Sequence, residues 1–431
     1  MKRKLFLLAL STLALAASKV YSTNGDNMIA IGPVARAMGG VTIANPQDAI
    51  SAVFGNPAAM CFSRYCPSSQ VDFGGTVFMP SVDASVTNAF GMNQLIAASS
   101  KDNIYPIPAI GLSIPLRDDQ ERLRFGLAAY GVSGLGVDYR GTSIDQKDIF
   151  GPGAPLVAGE YTSLQIMKFA PAISYQAAPN FSLGAAFHID YAVLDLGAGS
   201  APGFGYGVQL GSIWRPAPNF SLGLSYTTPQ KVRHEDVIAQ PTPTGGIARY
   251  DLNLEAPDQL GFGASWEAMD NRLIFSGEVK RINWGSAEGY KDFDWKDQTV
   301  WAGGIQYEAI RDKLFLRAGF NYGENPVKAN KGWNGAFTET GPADVTFVQG
   351  IPFPTYYYET FRIIGFPAIV ESHATFGFSY AINDGFDISL AYLHAYGNDI
   401  VEQGTGPAGT PVTIKSSLSE ESIEFGFAWK F

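Results

Sequence analysis

The chain has few charged residues and, beyond its first residues, no long apolar run. Charged side chains make up 16% of its 431 residues, whereas typical soluble domains carry about 25%. A membrane-spanning helix needs about 20 consecutive apolar residues, and no later segment offers them. The hydrophobic residues, 46% of the chain, are dispersed instead. This combination argues against a helical membrane protein and favours one that crosses the bilayer with strands.

Histidine and cysteine are also scarce, and acidic residues outnumber basic ones. The chain has four histidines, two cysteines and a formal charge of −10. Four of its cations lie in the first 22 residues, and removing them gives −10 − 4 = −14. That balance argues against a nucleic acid as partner. His188 and Asp190 share one strand face without a serine motif, so we expect no enzyme and no cofactor. No metal site is expected, because no histidine lies near the cysteines.

The amino terminus has the parts of an export signal. Residues 2–4 are basic, an apolar run follows from Leu5 to Ala17, and small residues near Ala16 and Ser22 offer cleavage sites. The run is too short to span a bilayer. We therefore predict that residues 1–22 form a signal peptide that is removed during export.

The carboxyl terminus alternates strictly between apolar and other residues. Apolar side chains occupy the odd positions Ile423, Phe425, Phe427, Trp429 and Phe431. A two-residue period is typical of a strand with one face in lipid. The alternative, a final strand of a soluble sandwich, would rarely leave four aromatic residues on one face at the terminus. The pattern also resembles the terminal signal that the bacterial barrel-assembly machinery reads, so we expect that machinery as a partner during biogenesis.

The same alternation recurs along the chain between two kinds of connection. Six connections are short and rich in Asp, Asn and Pro, and seven longer ones lie between them, among them 81–103, 228–248 and 398–418. Short turns alternating with long loops give about fourteen strands with both ends on the short-turn side, as a bacterial outer-membrane barrel requires. We predict an all-β fold: a transmembrane antiparallel β-barrel of about 14 strands over residues 70–431.

Residues 23–69 do not alternate and are rich in alanine, glycine and proline. A barrel of about fourteen strands has a lumen too wide for its own side chains to fill. We predict that this segment is an N-terminal hatch, a plug inside the lumen, with a periplasmic tail as the alternative. Small residues on the inward phase leave room for it, namely Gly207, Gly211, Gly223, Gly261, Gly263 and Gly304.

Two motifs in this segment resemble a known family. Arg36 precedes the pair Gly39-Gly40, and Asn56-Pro57-Ala58 follows further on. Together with the barrel ends, they resemble the amino-terminal region of outer-membrane long-chain fatty-acid and aromatic-hydrocarbon transporters of the FadL/TodX type. The resemblance implies a monomer in the bacterial outer membrane, surrounded by its lipids and lipopolysaccharide.

The resemblance also implies a function. Hydrophobic compounds such as long-chain fatty acids would enter passively through apolar pockets and leave sideways after the hatch rearranges. The alternative is a general outer-membrane porin for small polar solutes, which would show rings of opposed charge in the lumen and no hatch. An adhesin or structural barrel would leave the hatch motifs unexplained.

Two cations and one loop are candidate substrate contacts. Lys280 and Arg317 lie on the inward phase of their strands, where either one pairs with a fatty-acid carboxylate or joins the wall to the hatch. The loop from Phe347 to Phe366 is unusually apolar and is interpreted as an exposed capture surface. An aromatic belt against lipopolysaccharide and loop-to-loop packing are the alternatives. The capture candidates are Phe353, Tyr356, Tyr357, Tyr358 and Phe361.

Two further features concern local structure. Cys61 and Cys66 depart from the family's common pattern, and in an oxidising periplasm they either form a disulfide at the base of the hatch or stay as two thiols. Glycine and proline interrupt the strands at Tyr105 to Pro108 and at Gly131 to Gly136, so both stretches are candidates for kinks.

Overall fold

The computed structural model describes residues 23–61, 69–88, 91, 94–101, 104–116, 122–145, 159–242 and 244–431. The predicted signal peptide lies outside these ranges. Within them the chain forms a closed antiparallel β-barrel of fourteen strands, which confirms the predicted fold and strand count. Among the described residues there is no helix with the length and apolarity to cross a bilayer.

The barrel strands are numbered β1 to β14 in chain order. Their bounds are β1 Gln70–Thr87, β2 Tyr105–Pro115, β3 Leu123–Asp138, β4 Tyr161–Ala178, β5 Phe181–Asp195, β6 Ser200–Ala217, β7 Phe220–Thr227, β8 Gln259–Ala268, β9 Leu273–Ile282, β10 Gln298–Ile310, β11 Leu314–Gly323, β12 Ser372–Asn383, β13 Phe386–Ala395 and β14 Pro411–Lys430. Each strand pairs with the next, and β14 pairs with β1 from Lys430 opposite Gln70 to Thr413 opposite Thr87. This last pairing closes the barrel and leaves no open sheet edge in lipid.

The two-residue alternation separates an apolar outer face from a small or polar inner face. On β6, Phe204 and Tyr206 are 57% and 59% exposed, whereas Gly205 and Gly207, which alternate with them, are buried. β14 repeats the pattern, with Phe425 exposed and Glu424 buried. The exposed face is therefore the one that meets lipid, and the inner face lines the lumen.

Five of the six short turns lie where the sequence predicts them, and the sixth, 117–121, falls outside the described residues. Some of the long connections contain strands. β1 extends to Thr87 and pairs there with Leu95–Ser99, and β14 begins at Pro411 and pairs with Asn398–Thr405. These stretches fall within 81–103 and 398–418, which were expected to be loops. Many of their outward residues are polar, for example Asp83, Ser85 and Ser99, although Leu95 and Val401 are exposed too. The wall therefore continues beyond the lipid, where an apolar outer face is not needed.

Three further long connections fold over the mouth opposite the chain ends, and we call their residues 230–256, 285–297 and 325–366 the outer cap. It contains two hairpins, one formed by strands Gln230–Pro241 and Ile247–Ala256 and the other by strands Val345–Val348 and Ile351–Pro354. Three further short strands are Lys331–Asn334, Phe337–Thr338 and Gly341–Pro342. The helical parts are a 3₁₀ turn Lys291–Phe293, helix α3 Thr355–Thr360 and a π-helical turn Phe361–Gly365. Gln240 Nε2 donates to Pro352 O at 2.8 Å, and Gln349 Nε2 donates to Asn253 O at 2.7 Å. These bonds join separate loops into one layer.

The chain before β1, residues 23–61, is called the inner segment. It contains the two-residue strands Thr23–Asn24 and Asn27–Met28, helices α1 Pro33–Ala37 and α2 Ala49–Gly55, and a 3₁₀ turn Pro57–Cys61. Nearly all of its residues are buried. It contacts inward-facing residues of strands all around the barrel, from Gly184 on β5 to Gly426 on β14. The inner segment thus lies in the lumen, not in a periplasmic tail.

Candidate functional site

A buried ion pair fastens α1 to the wall. Arg36 Nε lies 3.1 Å from Glu424 Oε2 on β14, and its Nη2 donates to Ser422 Oγ at 2.7 Å. Glu424 also accepts from Gly32 N at 3.2 Å and from Thr76 Oγ1 at 2.8 Å. Both charged side chains are buried. Removing one partner would leave the other charge uncompensated, which costs about 3–5 kcal/mol at buried sites.

We therefore expect Arg36→Met to lower the free energy of opening the inner segment by about 3–5 kcal/mol. Hydrogen exchange of amides in residues 33–40 measures this directly, and exchange in the variant should be much faster. Adding Glu424→Gln removes the stranded charge and should recover part of the protection. Unchanged exchange in Arg36→Met would show that the ion pair does not hold the segment.

The glycine pair after α1 is required by backbone conformation and by space. Gly39 and Gly40 have φ values of +73° and +88°, which favour glycine. Gly39 N donates to Thr375 Oγ1 at 2.9 Å, and Asn321 Nδ2 donates to Gly39 O at 3.1 Å. A Cβ on Gly39 would lie 2.7 Å from backbone atoms of β10 and β11. The pair lets the backbone of the inner segment lie directly against the wall.

The Asn56-Pro57-Ala58 motif makes the equivalent contact on the opposite side. Asn56 Nδ2 donates to Ile43 O at 2.8 Å and to Ser212 O on β6 at 3.1 Å. Its Oδ1 accepts from Ala58 N at 3.1 Å, and Ser182 Oγ on β5 donates to Ala58 O at 2.8 Å. α2 before it is capped by Asp48, which accepts from Ser51 N at 2.6 Å. The motif therefore connects the end of α2 to two barrel strands.

Five of the six inward glycines that the sequence singles out contact the inner segment. A Cβ on Gly211 would lie 2.0 Å from Asn56 Oδ1, and one on Gly304 would lie 2.4 Å from Met38 O. Gly223, Gly261 and Gly263 pack against Ile43 and Ala44 in the same way, whereas Gly207 faces Gln230 of the outer cap. The small inward residues of the wall therefore leave space for both the inner segment and the outer cap.

A cavity of about 80 Å³ lies between the inner segment, the wall and the cap hairpin. Part of its lining is apolar and comes from Met28, Ile43, Phe54, Val132, Ile166 and Ile282. The rest is polar. Lys168 Nζ lies 2.9 Å from Asp190 Oδ1 and 3.4 Å from His188 Nδ1. The sequence showed that His188 and Asp190 share a face, but the role of Lys168 depends on the register that places it opposite Asp190.

The two candidate cations lie in different places and both already have partners. Lys280 lines the cavity, and its Nζ lies 3.0 Å from Glu278 Oε1. Glu278 in turn accepts from Thr42 N at 2.8 Å, so this wall pair also holds the inner segment. Arg317 lies near the short-turn end of β11, where it donates to Gln306 Oε1 at 2.7 Å and to Ser379 Oγ at 2.6 Å. The structure does not bring the two cations together.

The wall has a gap in its hydrogen bonding between β2 and β3. Pairing of these strands ends with Ala109 opposite Tyr130. Beyond the gap, Lys101, which precedes β2, donates its backbone N–H to Asp138 O at the end of β3, at 2.9 Å. On one side of the gap Pro106 and Pro108 have no N–H to donate. The predicted kinks at Tyr105 to Pro108 and Gly131 to Gly136 thus face each other, and we call this gap the wall window.

A bulge at Val132 forms the inner edge of the wall window. β3 pairs with β4 at Gly131 and again at Ser133, so Val132 is left over. Ser133 pairs with Asn27 of the inner segment, and Tyr130 and Val132 line the cavity. The side chain of Ile107 occupies the space beside Gly131, since a Cβ there would lie 2.4 Å from Ile107 Cγ2. The cavity, the inner segment and the window therefore meet at one place.

The five capture candidates of the outer cap are buried, so the expectation that they form an exposed capture surface is wrong. Phe353, Tyr356, Tyr357, Tyr358 and Phe361 are each at most 6% exposed. They stack against other cap residues, for example Tyr356 on Trp333 with ring centroids 6.3 Å apart. Loop-to-loop packing, one of the two alternatives, describes them. The reason is that the cap is thick enough to have a core of its own.

A buried polar cluster holds this cap together. Arg362 Nε lies 2.8 Å from Glu359 Oε2, and its Nη2 donates to Glu402 on the strand Asn398–Thr405. Arg362 Nη1 donates to Lys328 O at 3.0 Å. Burial, together with the nearby carboxylate of Glu359, raises the pKa of Glu402 to about 9, although Arg362 opposes the shift. Two carboxyl groups share one guanidinium, and one of them holds a proton at neutral pH.

This protonation predicts that the cap loosens as pH rises. The pKa of Glu402 in the folded cap lies above its ordinary value of 4.5. Between those values the folded cap binds the proton more tightly than the opened cap, so its stability falls with rising pH. We expect hydrogen exchange in residues 355–365, corrected for intrinsic rates, to speed up from pH 5 to pH 9. Glu402→Gln should flatten this dependence, and an equally steep profile in that variant would contradict the assignment.

The cysteine pair stays a prediction. Cys66 and the side chain of Cys61 are not among the described parts of the chain. Within those parts no group of three or more histidine, cysteine, aspartate or glutamate side chains is arranged to hold a metal ion.

The fold and these motifs agree with a sequence match. Residues 8–202 and 196–332 match the profile of the family described as outer membrane protein transport protein (OMPP1/FadL/TodX). The chain belongs to this family. The resemblance to the FadL/TodX type that the sequence motifs indicate is confirmed. Members of the OMPP1/FadL/TodX family are outer-membrane transporters or channels rather than enzymes. No curated protein sequence is similar enough to count as a relative.

Solved structures of this family share the fold at low sequence identity. The toluene transporter TodX of P. putida is 18% identical, with a TM-score of 0.64 over 95% of this chain and 99% of that one. The toluene transporter TbuX of Ralstonia pickettii is 16% identical, with a TM-score of 0.62 over 95% and 99%. A FadL homologue of Pseudomonas aeruginosa is 13% identical, with a TM-score of 0.62 over 96% and 100%. These likenesses extend over nearly the whole barrel.

Proposed function

We propose that this OMPP1/FadL/TodX member takes up hydrophobic compounds passively, through the lumen cavity and out sideways through the wall window. The observation that carries the proposal is the position of Tyr130 and Val132, which line the cavity and also flank the window. A compound in the cavity is therefore next to an opening that leads into lipid. Burial of its apolar surface stabilises it by roughly 25 cal/mol per Å², and lipid provides a comparable environment outside.

The inner segment supports the choice of a sideways exit. It lies across the lumen between the cavity and the chain-end side of the barrel, and Asn56 and Arg36 attach it to opposite parts of the wall. We propose that residues 23–69 act as a hatch, with the motif residues Arg36, Gly39, Gly40, Asn56, Pro57 and Ala58 as its attachments. A polar solute crossing as in a general porin would have to pass this segment.

Rearrangement of the hatch is coupled to the window in this proposal. Asn27 of the inner segment pairs with Ser133 at the bulge, and Tyr290 of the outer cap donates a hydrogen bond to Asp26 beside it. A movement of residues 26–28 would therefore change both the cap and the edge of the window. Asp26 is buried, so this contact lies away from bulk water.

The remaining parts of the proposal concern the cellular setting. The signal peptide is cleaved near residue 22, the barrel-assembly machinery inserts the chain, and the protein works as a monomer among outer-membrane lipids and lipopolysaccharide. The apolar belt of the barrel and the alternating terminal strand support the membrane setting, and the basic and apolar first residues support cleavage of a signal peptide.

Uptake of a hydrophobic probe tests the function. Gram-negative host cells that lack their own transporter of this type should take up radiolabelled p-xylene several-fold faster when they express this protein. Cells that express an unrelated porin of similar abundance are the control. Equal rates in the two strains would refute transport of hydrophobic compounds.

A further inference from the structure

The polar side of the cavity contains buried atoms that lack partners. Asn24 Oδ1 and Tyr130 Oη line it and have no hydrogen-bond partner among the described residues, whereas the neighbouring His188 and Gln209 side chains form a hydrogen bond with each other. Each of these side chains is at most 3% exposed. An unsatisfied buried polar group costs about 1–3 kcal/mol, and native proteins contain few of them. Two such atoms at one cavity indicate a site for a ligand that carries a polar group.

The register of the strands explains why the polar side chains of the wall lie on one side of the cavity. Tyr130 on β3 pairs with Lys168 on β4, which pairs with Asp190 on β5. His188 lies two residues before Asp190 and therefore on the same inward face. Gln209 follows on β6, where its Nε2 donates to Ser225 Oγ at 3.1 Å and to Phe54 O at 2.9 Å. Its side chain also forms a hydrogen bond with His188.

The charged groups of the cavity compensate each other. Lys168 Nζ is 2.9 Å from Asp190 Oδ1, and Lys280 Nζ is 3.0 Å from Glu278 Oε1. These lysines thus have carboxylates as partners already. A ligand carboxylate would add a further buried negative charge and would have to compete with them, which is costly in a desolvated site.

We propose that the cavity binds hydrophobic compounds with an uncharged hydroxyl group, such as phenols and alkanols, in preference to hydrocarbons or carboxylates. A hydroxyl both donates and accepts. It can accept from Tyr130 Oη and donate to Asn24 Oδ1. The apolar body lies against Met28, Ile43, Phe54, Val132, Ile166 and Ile282. This inference rests on the proposed function and narrows its substrate class.

Calorimetric titration with three ligands of one shape tests the proposal. The full-length barrel in nanodiscs is titrated with 4-methylphenol, p-xylene and 4-methylbenzoate, and protein-free nanodiscs provide the blank. We expect 4-methylphenol to bind about tenfold to a hundredfold more tightly than the other two. Tightest binding of 4-methylbenzoate, or equal binding of 4-methylphenol and p-xylene, would overturn the inference.

A matched pair of variants separates binding from folding. Tyr130→Phe removes one hydroxyl from the cavity and should lower the preference for 4-methylphenol over p-xylene about tenfold. Tyr139→Phe removes another buried hydroxyl without a partner, but Tyr139 does not line the cavity, so binding should not change. Equal affinities in Tyr130→Phe and the unmodified protein would contradict the site.

The result is distinguishable from a failure of the proposed function. If cells take up p-xylene but the three ligands bind alike, transport stands and the hydroxyl preference is refuted. If none of the ligands binds and cells do not take up p-xylene, the transport function itself is refuted, and the preference with it.

Discussion

Replacing Gly304 by valine is expected to displace the inner segment from the barrel wall and make the barrel permeable to ions. A Cβ at this position would lie 2.4 Å from Met38 O and 2.8 Å from Met38 Cβ. Contacts this close are far inside van der Waals distance, and Met38 O belongs to the backbone, which has no rotamer to change. A barrel of fourteen strands without a plug is wide enough to hold a water-filled channel. The ionic conductance in planar bilayers should therefore rise several-fold.

The neighbouring residue provides the control for this substitution. Gly303 on the same strand faces outward, and the nearest atom to a Cβ there is Ser276 O at 4.0 Å. Gly303→Val adds the same side chain to the same strand without a clash, so it should leave the conductance at the unmodified level. Host cells with Gly304→Val should in addition become sensitive to a bulky polar antibiotic. Equal conductance of the two variants would show that the inner segment does not close the lumen.

The barrel could be predicted from sequence because lipid imposes one rule on every strand. Phe425 and its neighbours at alternate positions meet lipid in the structure, as the two-residue period indicates. Glycines such as Gly211 and Gly304 were recognised for the same reason, since a small residue on an inward phase serves to admit something into the lumen. The kinks at Pro106 and Gly131 follow from local chemistry: proline lacks a donor, and glycine tolerates a bulge.

The cap and the cavity could not be predicted, because they depend on which loops and strands meet. An apolar loop that contains Tyr356 and Phe361 has the same sequence whether it faces water or packs against Trp333. Only the fold shows that it packs. Lys168 and Tyr130 appear as separate inward residues in the sequence, and strand register brings them to one cavity. Extension of β1 and β14 past the lipid was missed because the outward phase there becomes polar.

A disulfide across the wall window is expected to stop uptake. A Cβ built on Gly131 lies 3.7 Å from Ile107 Cβ, and disulfides have Cβ atoms about 3.5–4.5 Å apart. The double variant Ile107→Cys with Gly131→Cys also removes Ile107 Cγ2, the atom that would crowd a side chain at 131. The bond would tie β2 to β3 where their backbones are not paired. The rest of the wall and the inner segment stay as they are.

The measurement that tests sideways passage most directly is p-xylene uptake by cells carrying this double variant, before and after reduction. Formation of the 107–131 bond is verified by mass spectrometry, and the two single-cysteine variants control for reactions with the native cysteines. Oxidised cells should take up the probe no faster than cells without the protein, and a membrane-permeant thiol reductant should restore the rate of the unmodified protein. Rapid uptake with the bond fully formed would mean that compounds do not leave through the wall window.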